Sequence, residues 1–369
     1  ALSKILLTLQ FIISVLALVS GVMFTQNAEF QKQAYLGYNK DNLMVLSLHN
    51  KSDYNALEQM VQSTPGIFSY AGTQYHIGYG NYRRTLKYRE QEQEVSWLNV
   101  GPNYLQTMGV KIKEGRLFRP EFESSDLAEN SIIVNEKLAR DFKWNQASGK
   151  TVYQDDTLKM RVVGMVENFY LYGLWSPVEP LAMRLAKQED YDRIAVQTGE
   201  GAAGSVHEAL QKGWKQVIPN YPFNGMFQEE LMQESKDVNK NIKQIFTFLS
   251  ITALLLSAVG LYALVSLRVM SKTKEIGIRK VVGASIAKIM QVVSKPYLFI
   301  VGISIIVGLT AGYYNAMLLM DSLWSQHTGA TVEAFLIPVA IILLTAAITV
   351  TWKIYQASAQ NPARSLRYE

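Results

Sequence analysis

The sequence predicts an α+β membrane protein: four transmembrane helices, with a large extracytoplasmic mixed α/β domain between the first and second. Three observations carry this. The runs Ile5–Phe24, Ile245–Leu267, Pro296–Leu319 and Phe335–Trp352 contain no charged residue. Lys and Arg gather between spans two and three and after span four, with none between spans three and four. Between the first and second spans lies a long stretch of alternating helix and strand patterns.

A hydrocarbon core of about 30 Å needs about 20 apolar residues in a helix. The first three runs meet that length, and Val332–Phe335 completes the fourth. The first run is too long for a signal-peptide core, and no small-residue cleavage site follows Phe24, so a retained helix is expected. The first residue is Ala1, and Lys4 alone precedes the span, which suits a processed chain or one cut from a longer polypeptide.

Orientation follows from the flanks. Arg268, Lys272, Lys274, Arg279, Lys280, Lys288 and Lys295 lie between spans two and three, and Lys353, Arg364 and Arg367 follow span four. Between spans three and four the charges are Asp321 and Glu333. Both chain ends and the basic connector are therefore expected in the cytoplasm. Residues 25–240 then lie outside, with 24 Lys and Arg against 27 Asp and Glu; the rest carries 12 against 4. The formal charge of +5 thus reflects cytoplasmic flanks and not a nucleic-acid surface. With no Cys, disulfides and thiolate metal sites are excluded.

Taken in order, the chain reads as transmembrane helix 1 (1–24) and an extracytoplasmic domain (25–240) with an inserted subdomain near 96–184. Helix 2 (241–269), a cytoplasmic coupling loop (270–295), helix 3 (296–320), an outer loop (321–333), helix 4 (334–354) and a cytoplasmic tail (355–369) complete it. The outer domain should have stalk helices at both ends. Phe24, Ala28, Gln31, Tyr35 and Tyr38 share one helical face, as do Leu231, Val238, Ile242, Ile245 and Leu249. Between the stalks, strand Leu43–Leu48, helix Tyr54–Ser63 and strand Ile67–Tyr75 form one βαβ-like unit. Strand Arg193–Gln197, helix Ser205–Ile218 and strand Phe223–Phe227 form another. The middle holds a hairpin, Thr85–Arg89 with Val95–Val100, then strand Ile132–Asn135, helix Glu136–Phe142 and strand Arg161–Val166 after a turn at Asp155-Asp156.

The connector SKTKEIGIRKVVGAS, Ser271–Ser285, is short, basic and helix-prone. Glu275 and Arg279 stand four apart in the favourable order. Gly283 suits the left-handed position after a helix, and Ser285 can cap the next one, Ile286–Ser294. Pro296 would then open span three.

These residues resemble a known family. KTKEIGIRKVVGAS is similar to the cytoplasmic loop of the MacB/FtsX permeases of the type VII ABC transporter superfamily. VKIKEGRLF at Val110–Phe118, IIVNEKLAR at Ile132–Arg140, GK at Gly149–Lys150 and VVGMVENF at Val162–Phe169 resemble that family's extracytoplasmic domain. The tail NPARSLRYE, Asn361–Glu369, and the order of spans fit too.

The resemblance implies a permease with no catalytic site or cofactor of its own, working with a cytoplasmic ABC ATPase dimer that carries ATP and Mg. The sequence contains no GxxxxGK[ST] P-loop. Lys274, Glu275, Ile276, Gly277, Arg279, Lys280, Gly283 and Ala284 become the expected ATPase-coupling residues. A second permease half is implied, as a homodimer or as part of a duplicated, fused chain; the amino terminus suits the latter. Membrane lipid and a periplasmic or outer-membrane partner complete the set. The expected location is the bacterial inner membrane, and the expected mechanism is mechanotransmission in drug or peptide efflux or lipoprotein transport. Activation of a cell-wall hydrolase is the alternative within the family, and a membrane receptor the alternative outside it. A receptor should carry a cytoplasmic output domain, which is not visible here.

Other motifs carry less. His49, His76, His207 and His327 do not stand at metal-ligand spacing, and no GxSxG elbow is present. Tyr75–Arg89 is aromatic and basic, fitting either a hairpin with snorkelling side chains or a loop meeting a partner, lipid or cargo. Gly308 and Gly312, with Ser304 one turn earlier, suit close helix packing, by default within the subunit. Gln10 is placed to bond across an interface to the paired half. No ionisable residue sits mid-span, which argues against a proton- or ion-driven transporter.

Overall fold

The computed structural model describes residues 2–80, 82–231, 233–272, 275, 278–279, 282–283 and 285–359, with side chains at all of these but 233–237, 239, 286–287, 289 and 357–359. The chain divides into two compact units, Ala34–Lys236 and the remainder.

In the Ala34–Lys236 unit, both expected βαβ units are present, and they interlock. Strand β1 (Leu43–Ser47), helix α2 (Tyr54–Ser63) and strand β2 (Ile67–Thr73) form the first. Strand β10 (Arg193–Thr198), helix α6 (Ala203–Val217) and strand β11 (Gly225–Phe227) form the second. β10 lies antiparallel between β1 and β2, and β1 antiparallel between β10 and β11. Each βαβ is therefore split by a strand of the other, in the order β11–β1–β10–β2, a ferredoxin-like sheet. Alternation decides its faces. Met44, Leu46, Ile194 and Val196 point to one side, where Leu57 and Val61 of α2 and Val206, Leu210 and Trp214 of α6 cover them. Leu43, Ala71 and Ala195 point to the other, into a second core with Tyr104 and Leu105 of α3 (Tyr104–Thr107).

Everything between β2 and β10 is inserted. The expected subdomain boundary near Ser96 falls inside strand β4 (Gln91–Val100), whose last residue pairs with the end of β2 at Thr73. With β3 (Arg83–Tyr88), β6 (Ser131–Asn135), β7 (Thr151–Gln154), β8 (Leu158–Val166) and β9 (Leu181–Leu185), β4 closes a ring: β4–β3–β7–β8–β6–β9 and back to β4. This small barrel has no free edge among these six strands. Leu86, Trp97, Ile132, Val134, Val152, Met160, Val162 and Ala182 fill it, and Leu138 and Phe142, from α5 (Glu136–Asp141) and the residue after it, pack against them. The alternate residues Leu98, Ile133 and Met183 face the ferredoxin-like sheet's second core.

The family-like motifs are the staples of this barrel. Asn135 is fully buried; its Oδ1 accepts from Leu138 N (3.0 Å) at the start of α5 and from Leu181 N (3.0 Å) in β9. Asn168 Oδ1 accepts from Lys137 N (2.9 Å), while Glu136 Oε2 accepts from Asn168 N (3.2 Å). Glu114, in β5 (Ile112–Gly115), accepts from Ala147 N (3.0 Å) and Ser148 N (2.8 Å). Asp126 of α4 (Glu123–Ala128), 1% exposed, receives a bidentate pair of bonds from Arg116 at 2.8 and 2.6 Å.

The second unit holds the helices. α1 (Leu2–Gln33), α8 (Gln233–Ser271), α9 (Ile286–Leu323) and α10 (Glu333–Ala359) are each long and apolar enough to cross a membrane. Three expectations need correction. The first stalk ends at Gln33, so Tyr35 and Tyr38 are not on it; Gly37, at φ 90°, takes the chain out of helix, and Tyr38 is buried in the outer domain's core. In the second, Leu231 lies in helix α7 (Gln228–Leu231), and Val238, Ile245 and Leu249 are exposed rather than packed within the chain. The expected break at Pro296 is absent: α9 runs straight through it, giving up the one hydrogen bond that proline cannot donate.

Candidate functional site

The expected site residues fall in the connector, along the helices and within the outer domain.

Five of the eight expected coupling residues, Lys274, Ile276, Gly277, Lys280 and Ala284, lie outside the described residues. The other three have clear surroundings. Glu275 accepts from Lys272 Nζ (2.7 Å) and from Arg279 Nη2 (2.8 Å), a three-member charge ladder along one helix face. The Lys272 hydrogen bond holds its carboxyl below the usual range. The bond from Val282 N to Ile278 O (3.0 Å) closes a helical turn, and Gly283 follows at φ 90°. The Ser285 side chain then accepts from Lys288 N at the start of α9. Ile278 and Val282 are exposed, 55% and 81%, beside Arg279. The described part of the connector thus offers apolar and cationic groups together.

The helices are joined by small and hydroxyl-bearing residues. Ser14 and Ser257 are both buried, with their hydroxyl oxygens 2.8 Å apart between α1 and α8. Nearer the outer end, the rings of Phe24 and Phe246 stack with centroids 4.7 Å apart. A Cβ on Gly260 would stand 2.5 Å from Gln10 Oε1, so Gln10 packs closely against α8. Ser304, Gly308 and Gly312 all face α1. Ser304 Oγ donates to Thr8 O (3.1 Å). A Cβ on Gly308 would meet Val15 Cβ at 2.6 Å, and one on Gly312 would meet Val19 Cβ at 2.9 Å. The outer end of α1 holds the loop between α9 and α10: Gln31 Nε2 donates to Gln326 O (2.8 Å), and Asn27 Oδ1 accepts from Thr328 N (3.1 Å).

Within the outer domain, a buried polar joint gathers the two segments nearest the helices. His76 is fully buried; its Nε2–H donates to Gln228 Oε1 (2.7 Å), and its Nδ1 accepts from Tyr104 Oη (2.9 Å). Gln228 Nε2 donates to Ile77 O (3.1 Å), and Tyr104 Oη accepts from Ile77 N (3.0 Å). Tyr38, at the domain's start, packs in the same core, and Gln228 opens α7 at its end. Burial pushes the imidazole down to about 4, so it is neutral at pH 7. Sequence spacing gave no hint of this joint, because its members come from four separate segments.

The aromatic-basic stretch is tied to the rest of the outer domain by internal contacts. Tyr75 and Tyr82 stack at 3.7 Å, Arg83 pairs with Glu94 and Glu179, and Lys87 with Asp156. Among the described residues no group of His, Asp or Glu is placed to hold a metal ion.

Four membrane-crossing helices with a ferredoxin-like and barrel domain inserted after the first define a multi-pass membrane permease with one large extracytoplasmic domain. Residues 5–212 match the family described as MacB-like periplasmic core domain, and residues 247–362 that described as FtsX-like permease C-terminal. The chain belongs to this MacB/FtsX permease family, and it is an inner-membrane protein. The "Probable export ATP-binding/permease protein MacB" of Pseudomonas entomophila is 24% identical over 271 residues, 70% of this chain and 40% of that protein. The "Macrolide export ATP-binding/permease protein MacB 2" of Aeromonas hydrophila is 22% identical over 218 residues, 56% of this chain and 33% of that protein. The chain therefore spans well under half the length of these relatives. Among solved structures, the periplasmic region of MacB from Actinobacillus actinomycetemcomitans aligns with TM-score 0.39 and 16% identity, covering 54% of this chain and 94% of that one.

Proposed function

We propose that this chain is the permease side of an ATP-driven machine that works by mechanotransmission. A separate cytoplasmic ATPase dimer, carrying ATP and Mg, docks on the connector around Lys274–Ala284. Closure of that dimer moves the connector; α1 and α8 carry the movement as stiff levers; the outer domain changes shape and displaces cargo or a periplasmic or outer-membrane partner. The chain itself performs no catalysis, and it works beside a second permease half.

The observation that carries this reading is the FtsX-like permease match, which spans the connector and the three helices around it. The Lys272–Glu275–Arg279 ladder beside exposed Ile278 and Val282 supports it as a docking surface. The relatives' names join an ATP-binding part to a permease, which supports an ATPase as the partner here. Export, as those names describe, is the favoured outcome, with a peptide, drug or lipoprotein as cargo.

Co-expression with an ABC ATPase from the same organism tests the reading. The wild-type chain should retain the ATPase through purification, and Arg279→Glu should release it while the outer domain stays folded. Equal retention by both would refute the docking assignment.

A further inference from the structure

The outer domain contains a cavity of about 530 Å³. It lies between α2, β2 and the segments around Asn103 and Glu123. Tyr54, Tyr70, Tyr191 and Phe68 give it aromatic walls; Glu58 and Glu123 give it negative charge; no Lys, Arg or His lines it.

Four features mark it as built to receive something. Tyr191 is only 3% exposed, yet its hydroxyl has no hydrogen-bond partner among the described residues and borders the cavity. The ring is buried while the hydroxyl stays open to the cleft, where it can meet a ligand or water. Second, the Tyr191 ring can lie flat only because Gly72 and Gly101 lack side chains: a Cβ on the first would stand 2.2 Å from the ring, and one on the second 2.6 Å from the hydroxyl. Third, Glu58 and Glu123 have no cationic partner among the described residues, although both act on Tyr191, where burial first and then these two carboxylates push the phenol up. Glu58 is held in place by a bond from Tyr54 Oη (3.0 Å). Fourth, Phe68 stands 80% exposed at the rim, where no core needs it.

We propose that this cleft binds an organic cation, a protonated amine carried on an apolar body. Carboxylates unpaired within the protein attract the ammonium, aromatic faces favour both the charge and the apolar body, and the Tyr191 hydroxyl can accept a hydrogen bond from it. A carboxylate or phosphate ligand would meet only repulsion from Glu58 and Glu123. The site does not depend on the ATP-coupling reading, because it lies wholly within the outer domain and needs no ATPase to fill it.

The test uses the full chain in lipid nanodiscs and 2-phenylethylammonium as the probe, titrated by calorimetry against empty nanodiscs. Saturable binding in the low-millimolar range is expected for so small a ligand. The double variant Glu58→Gln/Glu123→Gln, which preserves shape, should weaken it at least about tenfold, and Phe68→Ala severalfold, with the melting temperature unchanged. Neutral 2-phenylethanol and anionic 3-phenylpropionate should not compete. No saturation above the empty-nanodisc signal, equal affinity for 2-phenylethanol, or full affinity in the double variant would each overturn the proposal. Failure here would leave ATPase retention untouched, so the two readings are separable.

Discussion

Ser14 and Ser257 face each other across the α1–α8 contact with their hydroxyl oxygens 2.8 Å apart, both shielded from solvent. Each side chain is short, so the two backbones are close, and the pair marks where two helices of the proposed lever touch. If these helices move as one body, tying them together costs nothing in coupling. The chain has no cysteine, so Ser14→Cys/Ser257→Cys introduces a single defined pair. Oxidation should form the disulfide, since such a separation fits bridging geometry. ATPase stimulation should survive the bridge. Its loss on oxidation and return on reduction would show instead that α1 and α8 slide past each other.

Gly308 packs its bare Cα against α1, leaving no space for a side chain. Gly308→Leu should destabilise the helical unit by about 1–3 kcal/mol through overpacking. Gly302, on the same helix with nothing within 4 Å, should accept leucine with little change. Thermal unfolding in nanodiscs, read by protease sensitivity of the helices, distinguishes the two.

The buried His76 makes stability depend on pH in a defined direction. An unfolded histidine titrates near about 6.5, whereas burial holds this one at about 4. Between those values the unfolded chain binds the extra proton. Stability from this group is therefore complete above the unfolded value and falls with pH by about 1.4 kcal/mol per unit through the window, and about 3 kcal/mol in all. His76→Gln should remove that part of the slope. Unfolding followed from pH 7 to pH 4 for both proteins checks this, and parallel curves would contradict it.

How much of this was legible beforehand follows physical lines. The four spans and the order of elements were readable because charge-free runs and periodic patterns are local properties of the chain. Helix Tyr54–Ser63 is found with the bounds its Thr64-Pro65-Gly66 stop dictates. Strands β5 and β7 have only four residues each, too few to show alternation, and β9 is apolar at four of its five positions, so it shows no alternating pattern. The closed barrel and the interlocked sheet depend on which distant strands pair, and periodicity is silent on that. Ile245 and Leu249 are exposed in the single chain, whereas the contact of α8 with α1 is marked by Ser250, Ser257 and Gly260, where small residues permit approach. The GxxxG pair was readable for that same reason.

The central claim is that ATP acting in the cytoplasm moves the outer domain. It is tested most directly by a distance measurement across the assembled complex. A spin label on Glu200→Cys, exposed on the outer domain, paired with one on the second permease half, reports that movement by pulsed electron resonance. With the partner ATPase present, addition of ATP and Mg should shift the distance distribution, and Arg279→Glu should abolish the shift while leaving the nucleotide-free distribution unchanged. An identical distribution with and without ATP in the wild-type complex would contradict the account.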